Sequence, residues 1–147
     1  MRKSSGLNAA DYVEIQNLYS FYNLCSDAGD AAAYASCFTV DGVLEIPALN
    51  MVVRSRQQLE VYKRKDKEMR GDRYRRHHNY GLHLEKVDDV TVRGTCYLHG
   101  YNGEPGELPV LADAGLYQDA IVKVDGEWLF AKRLVIMDAS SFKPPSL

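Results

Sequence analysis

Cysteine is scarce in this chain of 147 residues: Cys25, Cys37 and Cys96 are the only three, and no two form a CxxC pair. An odd, scattered set excludes a disulfide framework and a thiolate zinc site, and is read as reduced, mostly buried thiols of a cytoplasmic protein. Proline is equally thin, at five residues, and no Pro/Gly/Ser-rich stretch marks a linker, repeat or low-complexity segment. No apolar run approaches the roughly 20 residues a membrane span needs, and Met1-Arg2-Lys3 does not lead into the apolar core of a secretory signal. Charge of one sign is missing too. A net charge of −2 and a pI near 6.1 argue against general nucleic-acid binding. There is no HExxH pair, no phosphate-binding glycine loop and no GxSxG elbow. Any chemistry is therefore expected to use side chains alone, without metal or cofactor.

What remains has the balance of one globular domain over 1–147, with 46% hydrophobic and 26% charged residues. Asn8, with Asp11 three positions on, caps a helix over 8–28 whose apolar stripe takes in Val13, Ile15, Leu18, Tyr19, Tyr22 and Leu24. Gly29 ends it, and Asp30 caps a short helix from Ala31 to Phe38. Asp41-Gly42 turns the chain into a strand at 43–46, with a returning strand at 51–53. Ser55 caps a third helix that runs to about Met69, before Gly71. From Arg73 the texture becomes β-branched and aromatic, giving strands at 74–87, 90–102, 112–124 and 128–138. Asp125-Gly126 is the strongest hairpin signal. Helices first and an antiparallel meander afterwards spell an α+β domain.

Three segments carry a resemblance. "DYVEIQNLYSFYNLCSDAGDAAAYASCFTVDG", "RRHHNYGLHLE" and "GLYQDAIVKVDGEWLFAKRLVIMD" are similar, in this order, to the SnoaL-like group of the nuclear transport factor two-like superfamily. The resemblance covers nearly the whole chain. It implies a cone-shaped, curved mixed or antiparallel sheet wrapped around three N-terminal helices, with an internal cavity. Within the superfamily, the chain resembles the branch of scytalone dehydratase, bile acid 7-alpha-dehydratase and hexachlorocyclohexane dehydrochlorinase. Those enzymes share an Asp at the end of the first helix and a His on the sheet, positions matched here by Asp27 and His77. Gly81 departs from the pattern, standing where many relatives have Asn.

By this resemblance His77 is the general base, its ordinary pKa of about 6.5 suiting proton transfer near neutrality. Asp27 orients the imidazole and stabilises the imidazolium. His78 is the rival base, but neighbours on a strand face opposite sides. Tyr22 is the third catalytic candidate, offering its hydroxyl to a substrate oxygen. Five helical residues separate it from Asp27, a turn of about 140°, so a core role competes with the catalytic one. His99, Tyr97 and Arg133 are the substrate-binding candidates, each weighed against an ordinary strand or surface role. Ten of the 18 Lys and Arg fall between Arg54 and Arg76, against Glu60, Asp66, Glu68 and Asp72. That run is read as a solvated face, with steering of an acidic substrate as the alternative.

The combined expectation is a cofactor-independent lyase, a dehydratase acting on a hydroxylated cyclic, polyketide, steroid or aryl compound. An isomerase or C–C lyase with the same dyad is the alternative, as is a non-catalytic small subunit of the same fold. The partner is a small molecule, without nucleic acid or membrane. Self-assembly is expected, as a trimer in preference to a dimer. The tail from Ser140, made extended by Pro144-Pro145, is expected to lie over the cavity mouth or on a neighbouring subunit.

Overall fold

A computed structural model describes residues 3–147. Helix α1 (Ala9–Ala28) is followed by α2 (Ala31–Ser36), strand β1 (Phe38–Ile46), a 3-10 turn, β2 (Met51–Arg54) and α3 (Arg56–Arg70). The meander β3 (Tyr74–Asp88), β4 (Thr91–Gly103), β5 (Val110–Val124) and β6 (Glu127–Ser140) completes the chain. The six strands form one curved, unclosed sheet in the order β2-β1-β6-β5-β4-β3, with β1 parallel to β6 and every other pair antiparallel. The expected α+β class and mixed sheet are present.

The capping residues act as the sequence implies. Asn8 Oδ1 accepts from Asp11 N–H at 2.8 Å, Asp30 from Ala33 N–H at 3.1 Å and Ser55 from Gln58 N–H at 3.3 Å. Gly29 takes the left-handed conformation that closes α1, with φ 74°. Asp125 and Gly126 both have positive φ, which matches the right-handed twist of the hairpin strands. Asp41-Gly42 does something else. Strand β1 begins at Phe38, and these two residues form a bulge within it, where the register against β6 shifts. A Cβ on Gly42 would sit 2.7 Å from Phe38 Cβ, so the bulge needs glycine there.

The buried face of α1 is Ile15, Leu18, Tyr19, Tyr22, Cys25 and Ser26, spaced three and four apart. Val13 and Leu24 lie off that stripe and are exposed, contrary to expectation. The three cysteines are buried and unpaired. Inside the cone, Tyr22, Tyr34, Phe38, Tyr117 and Phe130 pack edge-on and tilted at 5.0–6.3 Å between centroids. These rings fill most of the volume in which a cavity was expected, leaving an inner hollow of about 40 Å³, room for a few waters. Among the described residues no helix is long and apolar enough to cross a membrane.

Candidate active site

Edge strand β3 lies along α1, and two polar rungs tie them together. Asp27 Oδ1 meets His77 Nδ1 at 2.5 Å, and Asn23 Nδ2 donates to Asn79 Oδ1 at 2.6 Å. The spacing follows from geometry: four helical residues rise about 6 Å, and two strand residues span about 6.6 Å. Asp27 Oδ2 also accepts the His77 backbone N–H at 3.0 Å, so one carboxylate holds both the ring and the strand. Both side chains are about nine-tenths buried.

The other ring nitrogen, Nε2, accepts Arg75 Nε–H at 3.2 Å. With Nδ1–H donated to Asp27, the ring is neutral and fixed in one tautomer. Burial lowers the His77 pKa below its ordinary 6.5; the Asp27 hydrogen bond opposes this, and the Arg75 charge adds to it. A neutral imidazole with an oriented carboxylate behind it is the resting state a general base requires.

His77 stands between two spaces. On one side is an open groove of about 680 Å³ along α1 and β3, lined also by Asp27, Asn23, Arg76 and Tyr80. On the other is the inner hollow, where Tyr22, Tyr34, Lys63, Arg75 and Phe142 join it. Asp27 lines only the groove and Tyr22 only the hollow, as the angle of about 140° between them on one helix demands. The Tyr22 hydroxyl lies 3.2 Å from that of Tyr34. Burial raises the pKa of both phenols, so they are protonated and able to donate.

The three expected substrate contacts lie elsewhere. Strand pairing sets His78 opposite His99 and Tyr80 opposite Tyr97, while His77 faces Gly100. His99 and Tyr97 thus share the outer face with His78; His78 and Tyr80 reach the rim of the groove, whereas His99 and Tyr97 line neither space beside His77. There Tyr80 stacks on Tyr97 at 5.3 Å and its hydroxyl meets His99 Nε2 at 3.1 Å. Arg133 is fully buried in the core. It donates to Asp119 at 2.9 and 2.8 Å, and its guanidinium carbon lies 3.8–4.8 Å from the centroids of Tyr117, Phe130, Tyr22 and Tyr19. It lines neither the groove nor the inner hollow.

The run from Arg54 to Arg76 supplies what sequence reading missed. Lys63, Arg70 and Arg75 are buried rather than solvated. Lys63 Nζ donates to Ser26 Oγ at 2.9 Å and to Asp66 at 3.1 Å, over the Tyr34 ring. Burial lowers its pKa, with Asp66 opposing. Arg75 also pairs with Asp113 and donates to Asn102 Oδ1 at 3.1 Å. The available signal was position: Arg75 and His77 are two apart on a strand and must share a face. Among the described residues no cluster of His, Cys, Asp and Glu could hold a metal ion.

Solved structures reproduce this architecture. Rv3472, a protein of unknown function from Mycobacterium tuberculosis, superposes with a TM-score of 0.78 at 26% identity, over 94% of this chain and 78% of its own. A candidate scytalone dehydratase from Novosphingobium aromaticivorans gives 0.78 at 19% identity, over 93% and 90%. The beta subunit of a candidate aromatic-ring-hydroxylating dioxygenase from the same organism gives 0.76 at 16%, over 92% and 95%. No curated protein matches in sequence. The last two share the fold but carry different names, so the fold alone does not select a function. A family model, that of the SnoaL-like domain, matches residues 8–134. Its span runs from the cap of α1 into β6 and takes in both elements that build the dyad, so the chain belongs to the SnoaL-like domain family.

Proposed function

We propose that the protein is a cofactor-independent lyase, a dehydratase in which His77 and Asp27 move the proton. The observation that carries this reading is the Asp27–His77 contact, buried, oriented and neutral at the histidine. In the proposed reaction His77 Nε2 exchanges Arg75 for an acidic C–H next to a substrate carbonyl and takes the proton. The C–H electrons form an enolate, held by hydroxyl donation from Tyr22 and Tyr34. The enolate then expels hydroxide from the neighbouring carbon, and the imidazolium returns its proton to make water. Asp27 stabilises the imidazolium between these steps. A hydroxylated cyclic, polyketide, steroid or aryl ketone meets these requirements. Isomerisation or C–C cleavage would begin with the same proton transfer.

One observation favours a second reading. The inner hollow of about 40 Å³ is too small for such a substrate as it stands, and a filled cone suits a non-catalytic subunit. The dyad supports the enzyme, and Phe142, which lines both the inner hollow and the space next to it, is where a substrate would enter. The protein is also proposed to assemble as a homo-oligomer, a trimer before a dimer, through the outer sheet face bearing Tyr97 and Ile136. The test of function is a panel of β-hydroxy ketones from these classes, followed by mass spectrometry for loss of one water. Turnover by the wild type that disappears in His77→Gln supports the dehydratase. Binding without turnover across the panel supports the subunit.

A further inference from the structure

A second hollow, of about 320 Å³, opens behind the first. Arg70, Arg73, Arg75 and Lys143 line it, against one acid, Asp66. It shares Asp66, Arg75 and Phe142 with the inner hollow, so these three side chains form the wall between them. The nearby carboxylates are all committed, Asp66 to Lys63, Asp113 to Arg75 and Asp27, whose charge also reaches Arg70, to His77. Among the described residues, none of Arg70, Arg73 and Lys143 joins an ion pair.

Arg70 is the anomaly. It is only 8% exposed, yet its Nε and Nη1 have no hydrogen-bond partner, and Nη2 makes one long contact of 3.4 Å to Ser26 O. A buried guanidinium with empty donors is a rare and costly arrangement unless something external fills it. A carboxylate fits, since its two oxygens match the guanidinium fork. The wall adds a second specification. Phe142 stacks on the Arg75 guanidinium at 5.2 Å, marking a surface that receives an aromatic ring.

We infer that this basic hollow is an anion subsite that holds the carboxylate of an aromatic substrate at Arg70, with Arg73 and Lys143 at its rim. The substrate's ring takes the place of Phe142 over Arg75, and its reactive carbon reaches the inner hollow beside His77. The inference rests on the proposed function only in taking the occupant as substrate; the subsite itself is defined by binding. It gives the basic run from Arg54 to Arg76 a use beyond solvation.

The experiment is calorimetric titration of the full chain with 2-naphthoate and with its uncharged counterpart 2-naphthamide. Wild type is expected to bind the carboxylate at least tenfold more tightly than the amide. Arg70→Met is expected to abolish that preference while leaving amide binding unchanged. Arg73→Gln, at an exposed position that does not endanger folding, is expected to weaken the carboxylate severalfold. Phe142→Ala is expected to tighten both ligands by clearing the wall. Equal affinity for the two ligands in wild type overturns the inference, as does a carboxylate preference that survives Arg73→Gln together with Arg70→Met. The readout is binding, so such a failure leaves proton transfer by His77, which turnover tests, standing on its own.

Discussion

Asp27 has two duties, and its variants separate them. Asp27→Asn keeps an acceptor for the His77 backbone N–H but removes the charge behind the ring; it is expected to fold and to lose about 10²–10⁴ of turnover, as is His77→Gln. Asp27→Ala strands that part-buried N–H as well, and is expected to lower stability by about 1–3 kcal/mol in urea titration. The histidine also sets a pH dependence. Its folded pKa lies below the unfolded value of about 6.5, so between the two the unfolded chain binds more protons. Stability from this group is complete above about pH 6.5 and is lost as pH falls through the folded value. Activity follows the same limb: kcat/KM should hold at pH 6.5 and fall only at lower pH. A limb centred above 6.5 would contradict the assigned environment. The pairing of Asp27 with His77 was legible in the sequence through the resemblance. The outward facing of Tyr97 and His99 was not legible because it depends on strand pairing, which periodicity does not encode; Arg133 faces inward, but its enclosure by Asp119 and four rings depends on distant partners. A single register fact, His78 opposite His99, would have placed His99 on the outer face.

At the level of elements, caps and turns were readable because each is decided by neighbours in the chain: Asn8, Asp30, Ser55 and Asp125-Gly126 all act locally. The bulge at Asp41-Gly42 and the parallel pairing of β1 with β6 depend on distant partners, and were read instead as a turn and a shorter strand. The same holds for charge. Lys63, Arg70 and Arg75 look solvated in a basic run, yet α3 and β3 turn them inward, where Asp66 and Asp113 meet Lys63 and Arg75. Strand β6 offers the clearest energetic test. Arg133 and Asp119 are fully buried and bonded through two nitrogens, and Tyr19 adds its hydroxyl to the carboxylate. Arg133→Met leaves Asp119 buried without its cation, and is expected to cost about 3–5 kcal/mol, read as a lower urea midpoint. A loss below about 1 kcal/mol would show that the aromatic surroundings, not the ion pair, hold this strand.

For the molecule as a whole, the outer face of the sheet leaves Tyr80, Tyr97 and Ile136 exposed by 47%, 54% and 38%, an apolar patch of the kind that marks interfaces. Light scattering coupled to size exclusion should report a multiple of 16.6 kDa, three in preference to two. A monomer at micromolar concentration would contradict it. The tail bears on the cone itself: Phe142 lines the inner hollow, and Lys65 Nζ donates to Ser146 O at 2.9 Å. The proposed function converges on one event, transfer of a carbon-bound proton to His77. Deuterium exchange measures it directly, using cyclic ketones that lack the leaving hydroxyl, incubated in D₂O with wild type and with His77→Gln. The account predicts α-deuteration catalysed by the wild type and slowed at least about 100-fold in the folded variant. Exchange at equal rates in the two proteins would contradict it.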